Sequence, residues 1–391
     1  MLKRIVWFFL LLIPLTFCVQ KKDDGVAVIK GQFTEYPEQL IYFQELEVKK
    51  TIPLDSVRTD DQGKFVFNLH LDDVGFYLLK TGPTNHLILL IEKNENMEVF
   101  SSNIDFFSGY EVSGSPGSEL LAAYNDFMFK QKSRIDSIGK VYNESKGSKD
   151  FLSIKNKLDS VYLSIVDDQK KYIQHFINKN PGSLASLIVL NRKLGMAEVV
   201  DEVADFRWLF ITDSLLSQKY PGNKHVLDHH QRVKEIQTRI FDNYLLEQKL
   251  KPGQKAPDIV LPDTSGNPVS LKSFTGKPMI VYFWAGWNAV SRQDNRKLVA
   301  LYPELTAKGF DILGVSLDEN NIVWKGAIKL DKLPWKQVSD LQGLNSTIKQ
   351  DFHVPDDLPY YYLLNEELKI VSKNNQLDSI LIKLDEVSLS N

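Results

Sequence analysis

The chain has 391 residues, with 47 Lys and Arg against 50 Asp and Glu, for a formal net charge of −3. That length predicts two or three domains, and 43% hydrophobic with 25% charged residues is the balance of an ordinary globular protein. No basic stripe stands out, which argues against a nucleic-acid partner.

Residues 1–17 have the layout of an export signal. Lys3 and Arg4 supply positive charge and Ile5 to Leu15 an apolar core too short to span a bilayer comfortably. Leu15-Thr16-Phe17-Cys18 resembles a bacterial lipobox, in which the cysteine is lipidated and becomes the first residue, although a small residue is usual where Phe17 stands. An ordinary secretory signal with an incidental cysteine is the alternative. Val19 to Asp24 forms a charged tether, similar to the surface-export signal of some Gram-negative lipoproteins or simply a solvated linker. The expectation is an exported chain held on the Gram-negative envelope through lipid on Cys18. Cys18 is the only cysteine, so if it is lipidated or removed the mature chain offers no free thiol, even in an oxidising compartment.

Residues 19–116 predict an all-β, sandwich-like domain. Strand candidates run over 26–33, 40–46, 64–71, 75–80, 86–92 and 96–101, each short and bounded by turn residues such as Asp60-Asp61-Gln62-Gly63 and Thr81-Gly82-Pro83. Lys64 to Leu71 largely alternates with period two, which buries one face. The stretch from Leu54 to Phe67, followed by Gly75-Phe76-Tyr77, resembles an uncharacterised β domain that often precedes thioredoxin-like domains in envelope lipoproteins.

Residues 117–250 predict a helical region. A helical pattern begins at Ser118, and Phe151 to Asn178 carries a stripe of Ile154, Leu158, Val161 and Ile165 that Tyr172 and Phe176 continue. Asn180-Pro181-Gly182 interrupts it and Ser183 can cap the next helix. Further helices are predicted over about 197–218 and 224–247. His225, Asp228, His229 and His230 cluster on the last of these. The i,i+4 spacing of His225 and His229 suits a metal, but no third ligand is identifiable. The residues are assigned to a surface helix, with no metal and no cofactor.

Residues 251–391 carry the most specific signals. Gly253 to Ile259 is followed by the apolar run Met279 to Gly286 and then Trp287-Asn288-Ala289-Val290-Ser291. Further on come Gly309 to Asp318, Leu333-Pro334-Trp335 and Leu358-Pro359-Tyr360-Tyr361-Tyr362-Leu363. In this order the blocks resemble the TlpA/ResA-like, AhpC/TSA-redoxin group of thioredoxin-fold proteins. The resemblance implies an α/β thioredoxin-like domain with helices on both faces of a mixed sheet, and it implies thiol–disulfide oxidoreductase or antioxidant activity. It also implies that Pro359 is a cis proline facing the active-site motif. One departure is Asn365-Glu366-Glu367-Leu368, which lacks the glycine of the family's turn and predicts a differently built hairpin.

Asn288 and Ser291 stand where the family places its two redox cysteines. Exchange needs an attacking thiolate and a second, resolving thiol, and neither side chain supplies one. Asn is a strong helix N-cap, so position 288 is expected to keep the helix start while losing reactivity. Under this reading the domain is a pseudoenzyme with no catalytic residue, and Trp284, Trp287, Leu358 and Pro359 are candidates to line a groove that takes a protein, peptide or small ligand. The alternative is the oxidoreductase or antioxidant activity of the family. Non-thiol catalysis on the same scaffold has no positive support.

Overall fold

In a computed structural model the described residues are 25–195, 198–384 and 387. The expected export signal, Cys18 and the expected charged tether lie outside them. The chain divides into two compact units, residues 1–237 and 238–391.

The first unit opens with eight strands: β1 (Val26–Phe33), β2 (Leu40–Leu46), β3 (Thr51–Arg58), β4 (Lys64–His70), β5 (Gly75–Lys80), β6 (His86–Ile91), β7 (Asn96–Ser101) and β8 (Glu111–Ser113). They form two four-stranded sheets, ordered β4-β1-β7-β8 and β3-β2-β5-β6. β4 alternates buried and exposed along its whole length and sends Phe65, Phe67 and Leu69 into the core, as period-two patterning requires. The inner faces meet in a core that includes Ile29, Phe33, Phe43, Phe67, Leu79 and Leu89.

Strands β3 and β8 were not expected from the sequence. β3 buries none of its residues and carries Pro53 where its register with β2 shifts, so it gives no periodic signal. β8 is only three residues long.

Five helices follow: α1 (Pro116–Ser145), α2 (Phe151–Lys179), α3 (Ala185–Asn191), α4 (Phe206–Lys219) and α5 (Lys224–Lys249). α1 starts at Pro116, ahead of the expected Ser118. Ser115 caps it by accepting the Ser118 N–H, and proline suits a first-turn position because its missing donor would be unpaired there. Within the expected α2 stripe, Ile165 and Phe176 are buried but Val161 is exposed, a correction to that stripe. α4 starts well after the expected 197. The Asp201 carboxylate accepts the Val203 and Ala204 N–H groups and the Asp205 carboxylate accepts the Asp201 N–H, a side-chain turn that competes with helix.

The second unit contains a short hairpin, β9 (Val260–Pro262) and β10 (Pro268–Ser270). Its main elements are β11 (Met279–Trp284), α6 (Ala289–Ala307), β12 (Asp311–Ser316), α7 (Asn321–Asp331), β13 (Lys336–Val338), α8 (Thr347–Asp351), β14 (Tyr360–Leu364), β15 (Ile370–Asn374) and α9 (Leu377–Ile382). The five-stranded sheet has the order β13-β12-β11-β14-β15. β11, β12 and β13 are parallel, and β14 runs antiparallel to both β11 and β15. This is the α/β thioredoxin-like domain expected from the sequence.

Central β11 is buried on both faces, so its residues alternate between two cores. Met279, Val281 and Phe283 face one with Phe352, Tyr362 and Leu364, whereas Ile280, Tyr282 and Trp284 face the other with Leu298, Ile312 and Trp324. The β14–β15 turn has no glycine, and Leu368 takes the left-handed conformation at φ 58°. The Asn365 carboxamide accepts the Glu367 and Lys369 N–H groups, and the Leu368 side chain is buried in the first of the two cores. A buried leucine and an asparagine side chain thus do the work a glycine usually does.

Candidate functional site

The candidate site lies where β11 hands over to α6. Trp284 ends the strand, residues 285–288 turn, and Asn288 is the helix N-cap with an extended backbone (φ −87°, ψ 120°). Its Oδ1 accepts the Ser291 N–H at 2.8 Å. This satisfies one of the helix's orphan donors in the place where the dipole favours partial negative charge. Ser291 is fully buried. Its hydroxyl lies 3.5 Å from the Ala285 N–H, and its carbonyl accepts the Tyr282 hydroxyl at 2.9 Å. A side chain so enclosed cannot reach a substrate as a nucleophile.

Beneath the turn is a polar network that no local sequence pattern announces. Both oxygens of buried Asp318 accept the Gly286 N–H, at 3.1 and 2.9 Å, and Asp318 also accepts the Ser316 hydroxyl at 2.8 Å. A Cβ at position 286 would lie 3.0 Å from the Ala327 Cβ and 3.3 Å from the Asp318 oxygens, tighter than ordinary contact, so a larger residue would require these neighbours to give by a few tenths of an ångström.

From α6, Arg292 Nη1 donates to the Gly286 carbonyl at 3.3 Å, and its Nε and Nη2 fork onto Asp331 at the end of α7, the latter at 2.7 Å. Asn295 Nδ2 adds a 2.8 Å bond to the same carboxylate. Burial pushes the Asp331 carboxyl up, but the Arg292 and Asn295 hydrogen bonds and the Arg292 charge outweigh it and hold the group below its usual value. Tyr361, stacked on Tyr282 with ring centroids 4.9 Å apart, donates to Asp294 at 2.8 Å. Burial, with the negative charge of Asp294 nearby, drives the phenols of both tyrosines upward, so they stay neutral donors.

Of the four groove candidates, only Trp287 is exposed, at 55%. Trp284 is fully buried and donates its Nε1–H to Gln337 at 3.0 Å. Its place in the β11 alternation turns it into the core beside α6 and α7, so it lines no groove. Leu358 and Pro359 are buried too, and the peptide bond between them is cis. Trp287 instead borders a hollow of about 290 Å3 together with Leu317, Glu319, Asn320, Val323 and Leu344. No histidine lines it among the described residues.

The histidine cluster on α5 differs from the surface helix expected. His229 is buried with Nε2 on the Leu209 carbonyl at 3.1 Å, His230 pairs with Asp213, and the His225 ring packs edge-on against Phe76. Among the described residues no group of three His, Cys, Asp or Glu could hold a metal ion, and no helix is long and apolar enough to cross a membrane.

Residues 252–373 match the AhpC/TSA family, and residues 27–121 match a domain of unknown function, DUF4369. The second unit therefore carries an AhpC/TSA-family domain of the thioredoxin fold, with homologues among thiol–disulfide oxidoreductases of the ResA type. Thiol-disulfide oxidoreductase ResA of Bacillus thuringiensis subsp. konkukian is 28% identical over 144 residues, which are 35% of this chain and 81% of that protein. Chloroplastic peroxiredoxin Q of Sedum lineare is 30% identical over 133 residues, 32% of this chain and 66% of that one. Among solved structures, a thiol-disulfide oxidoreductase from Bacteroides fragilis is 33% identical, covering 34% of this chain and 98% of its own, with a TM-score of 0.32.

Proposed function

We propose that this chain is an exported envelope lipoprotein, anchored through Cys18, whose thioredoxin-like domain has exchanged thiol–disulfide chemistry for binding a protein or peptide segment beside Trp287. The observation that carries the reading is the Asn288 cap. At the two motif positions a carboxamide accepts the N–H of a buried serine, and the sequence holds no cysteine other than Cys18. With neither an attacking thiolate nor a resolving thiol, exchange has no first step, and a cysteine-based peroxidase lacks the sulfur it would oxidise.

Support for binding is the half-exposed indole of Trp287 at the edge of a hollow walled by Leu317, Val323 and Leu344, since tryptophan in such a place is a frequent anchor of interfaces. The second reading is thiol–disulfide oxidoreductase activity, which the AhpC/TSA and ResA matches favour.

Dithiol-dependent reduction of a disulfide-containing protein separates the two readings. The unmodified chain is expected to be inert, and an Asn288→Cys, Ser291→Cys double variant to gain activity. Activity in the unmodified chain overturns the reading. For the anchor, Cys18→Ala is expected to move the chain from the membrane to the soluble fraction, and an unchanged distribution refutes it.

A further inference from the structure

We propose that the first unit binds a small amphipathic monocarboxylate, with its apolar chain in a cavity between β6 and α1 and its carboxylate on Arg192. The cavity has a volume of about 360 Å3, near the lower end of the roughly 300–1,000 Å3 typical of ligand pockets. Its apolar walls are Ile88 from β6, Leu121 and Met128 from α1, and Ile188 from α3, with the rings of Tyr110 and Tyr124 beside them.

Three cationic residue types reach this cavity: His86, Lys132 and Arg192. Lys132 is paired with Asp136 at 2.5 Å. Burial lowers the His86 pKa below its ordinary value, against the opposing hydrogen bond to the Thr84 carbonyl, so this imidazole stays neutral near pH 7. Arg192 follows α3 directly and has neither an ion pair nor a side-chain hydrogen bond with any described residue. The one carboxylate on the wall, Asp105, accepts the Phe107 N–H.

The Tyr124 hydroxyl accepts from Gln169 Nε2 at 2.9 Å, and its own proton has no acceptor among the described residues. The cavity therefore offers a guanidinium uncommitted among the described residues, a spare hydroxyl donor and an apolar wall. A guanidinium fork meets a carboxylate through two charge-assisted bonds, and the wall takes a hydrocarbon tail. A neutral amphiphile would leave the guanidinium unused, and a polyanion has no second free cation here among the described residues.

The test is calorimetric titration of the full chain with decanoate, with decanol as the uncharged isostere and a series from octanoate to hexadecanoate. Saturable one-site binding of decanoate is expected. Arg192→Gln on decanoate, and decanol on the unmodified chain, are each expected to bind at least tenfold more weakly. Arg192→Lys should fall between Arg192→Gln and the unmodified chain. Affinity should stop rising with chain length once the cavity is filled. Arg192 is exposed, so an unchanged thermal melt will show that the variants fold. Absence of saturable binding, equal affinity for decanol, an unaffected Arg192→Gln, or affinity that climbs steadily through hexadecanoate each overturns the proposal.

Discussion

Around Asn288 in the second unit, polar atoms are mostly paired within the protein. The Asn288 carboxamide, the Ser291 carbonyl, both oxygens of Asp318 and both oxygens of Asp331 have partners. Around Arg192 in the first unit several polar groups lack one. A second cavity, of about 370 Å3, shares Ile88, Ile188 and Arg192 with the first. It is also lined by His225 and His229, whose Nε2 and Nδ1 respectively are buried without a hydrogen-bond partner. The motif network is not free of orphans either, since Asn295 Oδ1 and Gln337 Nε2 are buried without a partner among the described residues, but neither atom's residue lines the hollow beside Trp287. Buried orphan groups cost about 1–3 kcal/mol each. The histidine orphans belong to residues that line a cavity, where an occupant can pair with them, whereas the orphans at the motif belong to residues enclosed in the core.

This contrast can be broken or sharpened by substitution. The largest effect is expected from Trp284→Ala, at about 3–5 kcal/mol. It empties a core position and leaves the Gln337 carbonyl without its indole donor. Denaturant unfolding of the second unit reads it out, and a loss under about 1 kcal/mol would mean that the core does not depend on this ring. Arg292→Met removes the paired cation from Asp331, whose side chain is only 4% exposed, and leaves it the Asn295 hydrogen bond. A cost of about 2–4 kcal/mol is expected, somewhat under that of a fully buried pair because the arginine is partly solvated. If the network is incidental, this variant will unfold at the same denaturant concentration as the parent.

Asn288→Ala removes the cap and should cost about 1 kcal/mol, whereas Asn288→Ser should largely preserve stability. Trp287→Ala should stay within about 0.5 kcal/mol of the parent, being exposed, while weakening capture of peptides on an array. Equal capture by parent and variant sinks the role given to Trp287.

A final prediction concerns pH and the first unit. Burial holds the imidazoles of His225 and His229 below the ordinary 6.5, outweighing the backbone hydrogen bonds that oppose it. The unfolded chain takes up protons below pH 6.5 that the folded chain refuses until lower pH. Stability is therefore intact above about pH 6.5 and declines as pH falls from there toward the depressed folded values. Hydrogen exchange in residues 25–237 should accelerate on acidification from pH 7 to 5, after correction for intrinsic rates. His229→Gln should flatten part of that slope, and an identical slope would remove His229 from the account.

How much of this was legible in the sequence depended on whether the signal was local. The alternation of Lys64 to His70 showed β4, and the ordered blocks from Gly253 to Leu363 showed the thioredoxin-like domain. β3 stayed hidden because a solvent-facing strand interrupted by Pro53 has no period to detect. Trp284 was misjudged because a strand buried on both faces carries no alternation, so nothing in Met279 to Trp284 says which way each ring points. The pair Arg292–Asp331 spans 39 positions and joins two helices, a contact that only the tertiary fold creates. The same holds for Arg192, whose interest lies in lacking a partner.

The Asn288 cap has one more consequence. A cysteine in that position at a helix start would titrate, and its charge and covalent state would follow the acidity and oxidation level of the surroundings. A carboxamide does neither. The opening turn of α6, and the Ser291 N–H held there at 2.8 Å, keep one electrostatic character through changes of pH and oxidant. The helix start beside Trp287 thus contributes no ionisable or oxidisable side chain at position 288.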